Sequence, residues 1–365
     1  MISGKLAHAE SGIFSSREKG KDVDERIVVV GAGPIGGNIG GRLARQDKDI
    51  TFIDVDPDHV RAIRNNGLQV DVPDGNFNIR APILFPNEIE GQFDIAFIAV
   101  RTNYTGNAVN SIVPYLAENG LLVSLQNGIN LPLLEQAVGP DRAIGAALRL
   151  RSVRLAPGHI RTSWRGHLHI GHTHGRTTPQ LETVHSLLSP VIPTEITDNI
   201  LGVLWSKLTY TCFGLFGSLA DDSLKNICEN EANRRLCVEF FAEVVGIGRA
   251  GGARFIPLQE YDPMTFHPDE PHAARLAALK KMWGGWKNGD RRGPIRQLKQ
   301  RVKTEVDQTF GHVIQEGERL KGATPICRSI AAIIHEIEDG KRPLQLQNYD
   351  EIAKGIAQSP ISSEL

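Results

Sequence analysis

Long hydrophobic runs are missing from this 365-residue chain. No apolar stretch approaches the roughly 18 residues of a membrane-spanning helix. Cysteine is scarce as well. Cys212, Cys228, Cys237 and Cys327 have neither a metal nor a redox spacing and are too few for a disulfide framework. Reduced thiols in a cytoplasmic protein are the simplest reading. No sign of charge dominates: 41 Lys and Arg against 42 Asp and Glu leave a net charge of -1. Bulk charge therefore directs the chain to neither nucleic acid nor a membrane surface. Residues 1–25 are polar and mixed in charge, without the apolar core of a secretory signal, and are expected to be a poorly ordered tail. What is present, 41% hydrophobic and 23% charged residues, suits a globular protein of two domains.

Regular structure is expected from Arg26. Ile27-Val28-Val29-Val30 is an apolar, β-branched run of the kind found in parallel strands buried on both faces. Further strands are expected at Ile50–Val55, Asp94–Val100 and Leu121–Leu125. Helices are expected at Gly37–Gln46, Asp58–Asn66 and Val109–Leu116. This alternation predicts a doubly wound parallel sheet. Arg151–Ile170 reads as a hairpin. After Asn199 the pattern turns helical, with helices expected at Leu201–Leu219, Ile227–Ala250, Ala273–Trp286, Ile295–Leu320 and Cys327–Glu338. The expected fold is α/β, with a Rossmann domain over 26–195 and an all-α domain over 196–365 for substrate and dimer contacts. A homodimer is expected.

The first strand runs into Gly31-Ala32-Gly33-Pro34-Ile35-Gly36, which then opens a helix. In that setting the backbone N–H groups and the helix N-terminus face a pyrophosphate. The first glycine permits the turn, the second lets phosphates approach, and the third allows close helix–strand packing. Asp54 ends the second strand about 20 residues on, where a carboxylate can accept from ribose hydroxyls. Asp56 and Asp58 follow it, and the nearest cations in sequence, Arg61 and Arg64, lie further along the helix. Three carboxylates oppose a 2′-phosphate, so NAD(H) is expected over NADP(H).

The chemistry must come from elsewhere. Asn127, in Leu125-Gln126-Asn127-Gly128, ends a strand at the edge where such sheets bind ligands. An Asn-Gly turn there has a plain structural use as well. Lys207, in Trp205-Ser206-Lys207-Leu208, lies beside an apolar helix face, where a lysine either snorkels or functions. In a cleft its ammonium can protonate a ketone oxygen as hydride reaches the carbon. Glu305 and Asp307, in Lys303-Thr304-Glu305-Val306-Asp307, can bind a substrate hydroxyl, pair with such a lysine, or lie on a solvated helix face.

In this order behind the glycine loop, these motifs resemble the ketopantoate reductase (2-dehydropantoate 2-reductase) family, within the 6-phosphogluconate dehydrogenase-like superfamily. The resemblance runs from Arg26 to about Ile334. It takes in Asn66-Gly67-Leu68, Pro157-Gly158-His159-Ile160, His169-Ile170-Gly171 and Ala323-Thr324-Pro325. It implies a Rossmann domain followed by a helical domain, with the active site between them. It implies Lys207 as general acid, Asn127 on cofactor and substrate, Glu305 on a substrate hydroxyl, and Arg101 near the cofactor. It also leaves NADP open, because the family usually favours NADPH. The chain departs from the family at Thr211 and Leu215, where asparagines are usual, and at Gly293-Pro294, where Ser-Met is usual. Its segment from His267 to Arg292 looks longer than the family needs.

Two features are read as structural. His167, His169, His172 and His174 cluster, but an exposed hairpin and turn outweighs a metal site, and no metal is expected. Lys280, Lys281, Arg291, Arg292, Arg296, Lys299, Arg301 and Lys303, with Trp283 and Trp286, form a basic stretch. Without a nucleic-acid fold signature it reads as a solvated face. The expected partner is a small keto or hydroxy acid.

Overall fold

The computed structural model describes residues 25–163, 166–258, 261–283 and 293–357. Nearly all of the expected N-terminal tail, with Trp286, Arg291 and Arg292 of the basic stretch, lies outside them. The strands are β1 (Ile27–Val30), β2 (Ile50–Ile53), β3 (Leu68–Asp71), β4 (Phe77–Ile79), β5 (Ile83–Leu84), β6 (Phe93–Ile98), β7 (Leu116–Ser124), β8 (Ala143–Arg149), β9 (Ser152–Ala156), β10 (His159–Thr162), β11 (His167–Gly171) and β12 (Thr194–Ile196). The helices among them are α1 (Pro34–Ala44), α2 (Pro57–Asn66), α3 (Thr105–Ile112), α4 (Leu131–Val138) and α5 (Pro179–Leu188). The rest of the described chain is helical: α6 (Ile200–Phe216), α7 (Leu224–Glu229), α8 (Glu231–Ala250), α9 (His272–Trp283), α10 (Gly293–Lys299), α11 (Val306–Leu320), α12 (Pro325–Glu338) and α13 (Gln347–Ala357).

Eight strands form the main sheet in the order β12-β11-β8-β7-β6-β1-β2-β5. β1 pairs in parallel with β2 on one side and β6 on the other, so the chain reverses its winding direction at β1. Ligands of such sheets bind in the crevice at that switch point. All four β1 residues are buried because the sheet is covered on both faces. Ile27 and Val29 pack with Ile39 and Leu43 of α1 and Leu181 and Val184 of α5. Val28 and Val30 pack with Ala108 and Val109 of α3, Leu134 of α4, and Ile200, Val203 and Leu204 of α6. From Trp205 onward α6 joins a separate helical core with Phe213, Phe216, Phe240, Phe241 and Phe310. One helix is therefore shared by both halves, and it carries Lys207.

Three expectations need correction. The segment expected as one hairpin is divided between two sheets. β9 and β10 pair antiparallel and join β3 and β4 in a four-stranded sheet, whereas β11 pairs antiparallel with β8 in the main sheet. The expected helix Ile227–Ala250 is broken at Asn230, whose extended backbone and side chain cap α8. The expected helix Ile295–Leu320 is interrupted between α10 and α11. Arg301 there has φ 52°, and the Thr304 N–H and hydroxyl both donate to the buried carboxylate of Glu338, at 2.6 and 2.7 Å. Tertiary bonding overrides the local helical pattern. All four cysteines are free and buried. No helix of the described residues is long and apolar enough to cross a membrane.

Candidate active site

The glycine loop follows β1 at the switch point. Gly31 has φ +100°, a conformation that glycine adopts without strain. A Cβ on Gly36 would stand 1.9 Å from the Gly31 carbonyl oxygen and 2.8 Å from Val29, so the turn closes only with glycine there. Around Gly33 a Cβ would meet nothing within 4 Å. The loop is thus tight on its sheet side and open above Gly33, at the start of α1, where Pro34 and Ile35 form the first turn. This open cradle at a helix N-terminus fits a dinucleotide pyrophosphate.

Asp54 stands at the end of β2 as expected, and it also holds the loop. Its Oδ2 accepts from Ala32 N at 2.9 Å and its Oδ1 from Asp56 N at 3.0 Å. Each oxygen keeps a lone pair for a ribose hydroxyl. Asp56 caps α2, accepting from Asp58 N and His59 N. Arg154 of β9 approaches Asp56 at 2.7 Å. Partial burial opposes ionisation of Asp56, but Arg154 and the two amides outweigh it and hold the carboxyl below its usual range. The sequence reading placed no cation here. Fully buried His59 was missed as well. Gly158 N donates to its Nδ1 at 2.9 Å, so Nε2 carries the proton and donates to the Ala32 carbonyl at 2.9 Å. The imidazole ties the glycine loop to the β9–β10 turn.

The expected catalytic residues do come together. Glu305 lies just before α11, its backbone off the helix. Its Oε1 accepts from Thr102 Oγ1 at 2.6 Å and from Thr102 N at 3.2 Å, and its Oε2 from Asn127 Nδ2 at 3.2 Å. Thr102 follows β6 and Asn127 follows β7, so one carboxylate from the helical half spans two adjacent strand ends. Arg101 is exposed beside Thr102. Gln126, buried, donates to the Val100 carbonyl and to Thr105, and this braces the two loops. Asp307 is drawn away to His335, 2.9 Å distant.

Lys207 faces this group from α6. Burial pushes its ammonium down to about 8; the Glu305 carboxylate resists the drop and the Arg149 guanidinium adds to it. Arg149 ends β8, facing α6 like Ala147, and was missed in the sequence. An amine that titrates near neutrality beside a carboxylate can give or take a proton at physiological pH. Thr102, Arg149 and Arg154 carry no local sequence signal, because each acquires its place through partners distant in the chain.

A phosphate cradle at a sheet switch point, joined to a helical half that brings a half-buried lysine to the strand ends, defines a two-part nicotinamide-dependent oxidoreductase. The comparisons with known proteins make the class narrower. The family model for ketopantoate reductase PanE/ApbA matches residues 27–175, and the one for its C-terminal part matches 199–338. The chain belongs to the ketopantoate reductase family, whose fold and CH–OH oxidoreductase chemistry it shares. It is 26% identical to a 2-dehydropantoate 2-reductase of Pyrococcus abyssi, over 87% of this chain and 100% of that protein. It is 23% identical to an uncharacterised oxidoreductase, YkpB, of Bacillus subtilis, over 87% of this chain and 100% of that one. A crystal structure of a PanE/ApbA family ketopantoate reductase from Ralstonia eutropha superimposes with a TM-score of 0.72 at 23% identity, covering 86% of this chain and 99% of the other. D-mandelate dehydrogenase, solved with NADH and anilino(oxo)acetate, gives 0.73 at 17%, with 86% and 99% covered. At those identities the structural likeness speaks to the fold.

Proposed function

We propose that the protein interconverts a ketone and a secondary alcohol on a small carboxylate-bearing substrate, with Lys207 as general acid and base. The observation that carries this reading is the placement of Lys207, half-buried on the helix shared by both halves, opposite the Glu305 carboxylate that holds Thr102 and Asn127. When bound, the nicotinamide supplies or accepts the hydride. In the reducing direction Lys207 donates a proton to the ketone oxygen and stabilises the charge that develops on it. Asn127 and Glu305 orient the substrate hydroxyl and the nicotinamide ribose. Gly31, Gly33, Pro34, Ile35 and Gly36 cradle the pyrophosphate, and Asp54, Arg101 and Asn127 complete the cofactor site. Asp54 and Asp56 favour NAD(H), although Arg154 softens the acidity there. A cytoplasmic homodimer suits this reading, and a Staphylococcus aureus ketopantoate reductase of similar fold is described as dimeric.

The substrate has two candidates. Family membership favours ketopantoate. A different 2-keto or 3-keto acid, handled by an NAD-dependent catabolic dehydrogenase, is favoured by Asp54 and by Thr211 and Leu215 on α6, where asparagines are usual in the family. The NADH-bound mandelate dehydrogenase of similar fold makes that class concrete. A screen of hydroxy acids with NAD⁺ and NADP⁺, pantoate included, separates them. Lys207→Ala should cut the turnover rate by about 100-fold or more on whichever substrate is found. An unchanged rate would refute the assignment of Lys207. NADH binding without turnover across the panel would instead indicate a regulator.

A further inference from the structure

The four clustered histidines separate in the structure. His172 is buried, with Nδ1 2.9 Å from the Ala143 carbonyl and Nε2 2.9 Å from Thr178 Oγ1. His174 turns to Asp141 at 3.1 Å. His167 and His169 remain on β11, two residues apart and therefore on one face, with ring centroids 4.6 Å apart. β12 pairs with β11 in parallel and sets Glu195 beside His169. Its two oxygens stand 3.4 Å from His167 Nε2 and 3.5 Å from His169 Nε2. One ligand atom from each of the three residues lies within 4.8 Å of the others.

Both separations are longer than direct pairing would make them, and the three ligand atoms stand close enough to converge on one cation. A charge-assisted N–H···O bond closes to about 2.7–2.9 Å. Tetrahedral bonds of about 2.0–2.2 Å from one ion hold neighbouring ligand atoms about 3.4 Å apart. Nor does the fold use His169 otherwise, for its buried Nδ1 has no partner among the described residues.

We propose that His167, His169 and Glu195 bind one divalent transition-metal ion of the zinc class, contrary to the expectation from sequence that no metal binds. Two imidazoles and one carboxylate suit such an ion and leave a coordination position open. The ion would clip β12, which among the described residues pairs with β11 alone, to the edge of the main sheet. Arg149 lies opposite His167 across the β11–β8 ladder, so its charge works against a bound cation.

The test uses the untagged full chain stripped with a chelator. Calorimetric titration with zinc chloride should show one ion per chain, and cobalt(II) should give the visible absorption of a tetrahedral site. Zinc should raise Tm, as any ligand of the folded state does. The double variant His167→Ala/His169→Ala should bind at least about tenfold more weakly, and so should Glu195→Gln, whose exposed side chain leaves the fold undisturbed if the double variant fails to fold. His174→Ala should bind like the wild type. No saturable binding by the wild type, or unchanged affinity in Glu195→Gln or the double variant, overturns the proposal; the latter would mean adventitious binding only.

Discussion

Glu305→Gln should move the pH profile of the reaction, and the direction follows from charge. Lys207 is depressed from 10.5 to about 8. At about 1.4 kcal/mol per pH unit, the site favours the neutral amine by about 3 kcal/mol relative to water. Glu305 is the group that opposes this depression. A nearby opposite charge commonly shifts a pKa by about 1–3 units, so removing it should bring Lys207 to about 7 or lower. With Lys207 as the proposed acid the reduction needs the ammonium, and kcat/KM in that direction should therefore fall as pH rises through about 8 in the wild type. In the variant the fall should come about one unit lower. The oxidation needs the free amine, and its rate should rise through the same midpoints. The glutamine amide also sets a donor against Asn127 or Thr102, which lowers the rate itself. The midpoint is thus the readout, measured by NADH absorbance between about pH 5 and 10 on a keto acid that the enzyme turns over. A wild-type reduction profile flat across pH 8, or a midpoint unmoved in Glu305→Gln, would refute the assignment.

Gly36→Ala forces a methyl group against the Gly31 carbonyl, 1.9 Å away. It should cost about 1–3 kcal/mol in urea unfolding and weaken NAD(H) binding about tenfold or more; wild-type affinity by fluorescence titration would contradict the cradle. His59→Leu leaves the Ala32 carbonyl and the Gly158 amide without partners. At about 1–3 kcal/mol for each unsatisfied group, a loss of about 3 kcal/mol is expected, and a loss below about 1 would show that water replaces the imidazole. Thr102→Val keeps the shape but removes the hydroxyl that donates to Glu305. A hydrogen bond to a charged group contributes about 1.5–3 kcal/mol; kcat should fall about tenfold while the cofactor Kd stays unchanged, and an equal weakening of cofactor binding would point to a general loosening of the loop.

Features governed by neighbours in the chain were legible in the sequence. The β-branched run of β1, the glycine loop and Asp54 lie within one stretch of 28 residues, and their periodicity and spacing have few structural solutions. Asn127 and Lys207 stood out as candidates because an amide at a strand end and a cation beside an apolar helix face are unusual locally. Tertiary structure decided what those residues touch. It brought Thr102 to Glu305 across 203 residues and Arg154 to Asp56 across 98. It broke the long helix before α11 because Glu338 captures Thr304, which turns Glu305 off the helix and into the site. It also split the histidine cluster, sending β11 to the main sheet while β9 and β10 went to the small one. Strand pairing, burial and long-range hydrogen bonds depend on where distant segments meet, and local pattern carries no record of that. The glycine loop was therefore determined by sequence alone, whereas the charge around Asp56 and the environment of Lys207 were decided only when the two halves packed together.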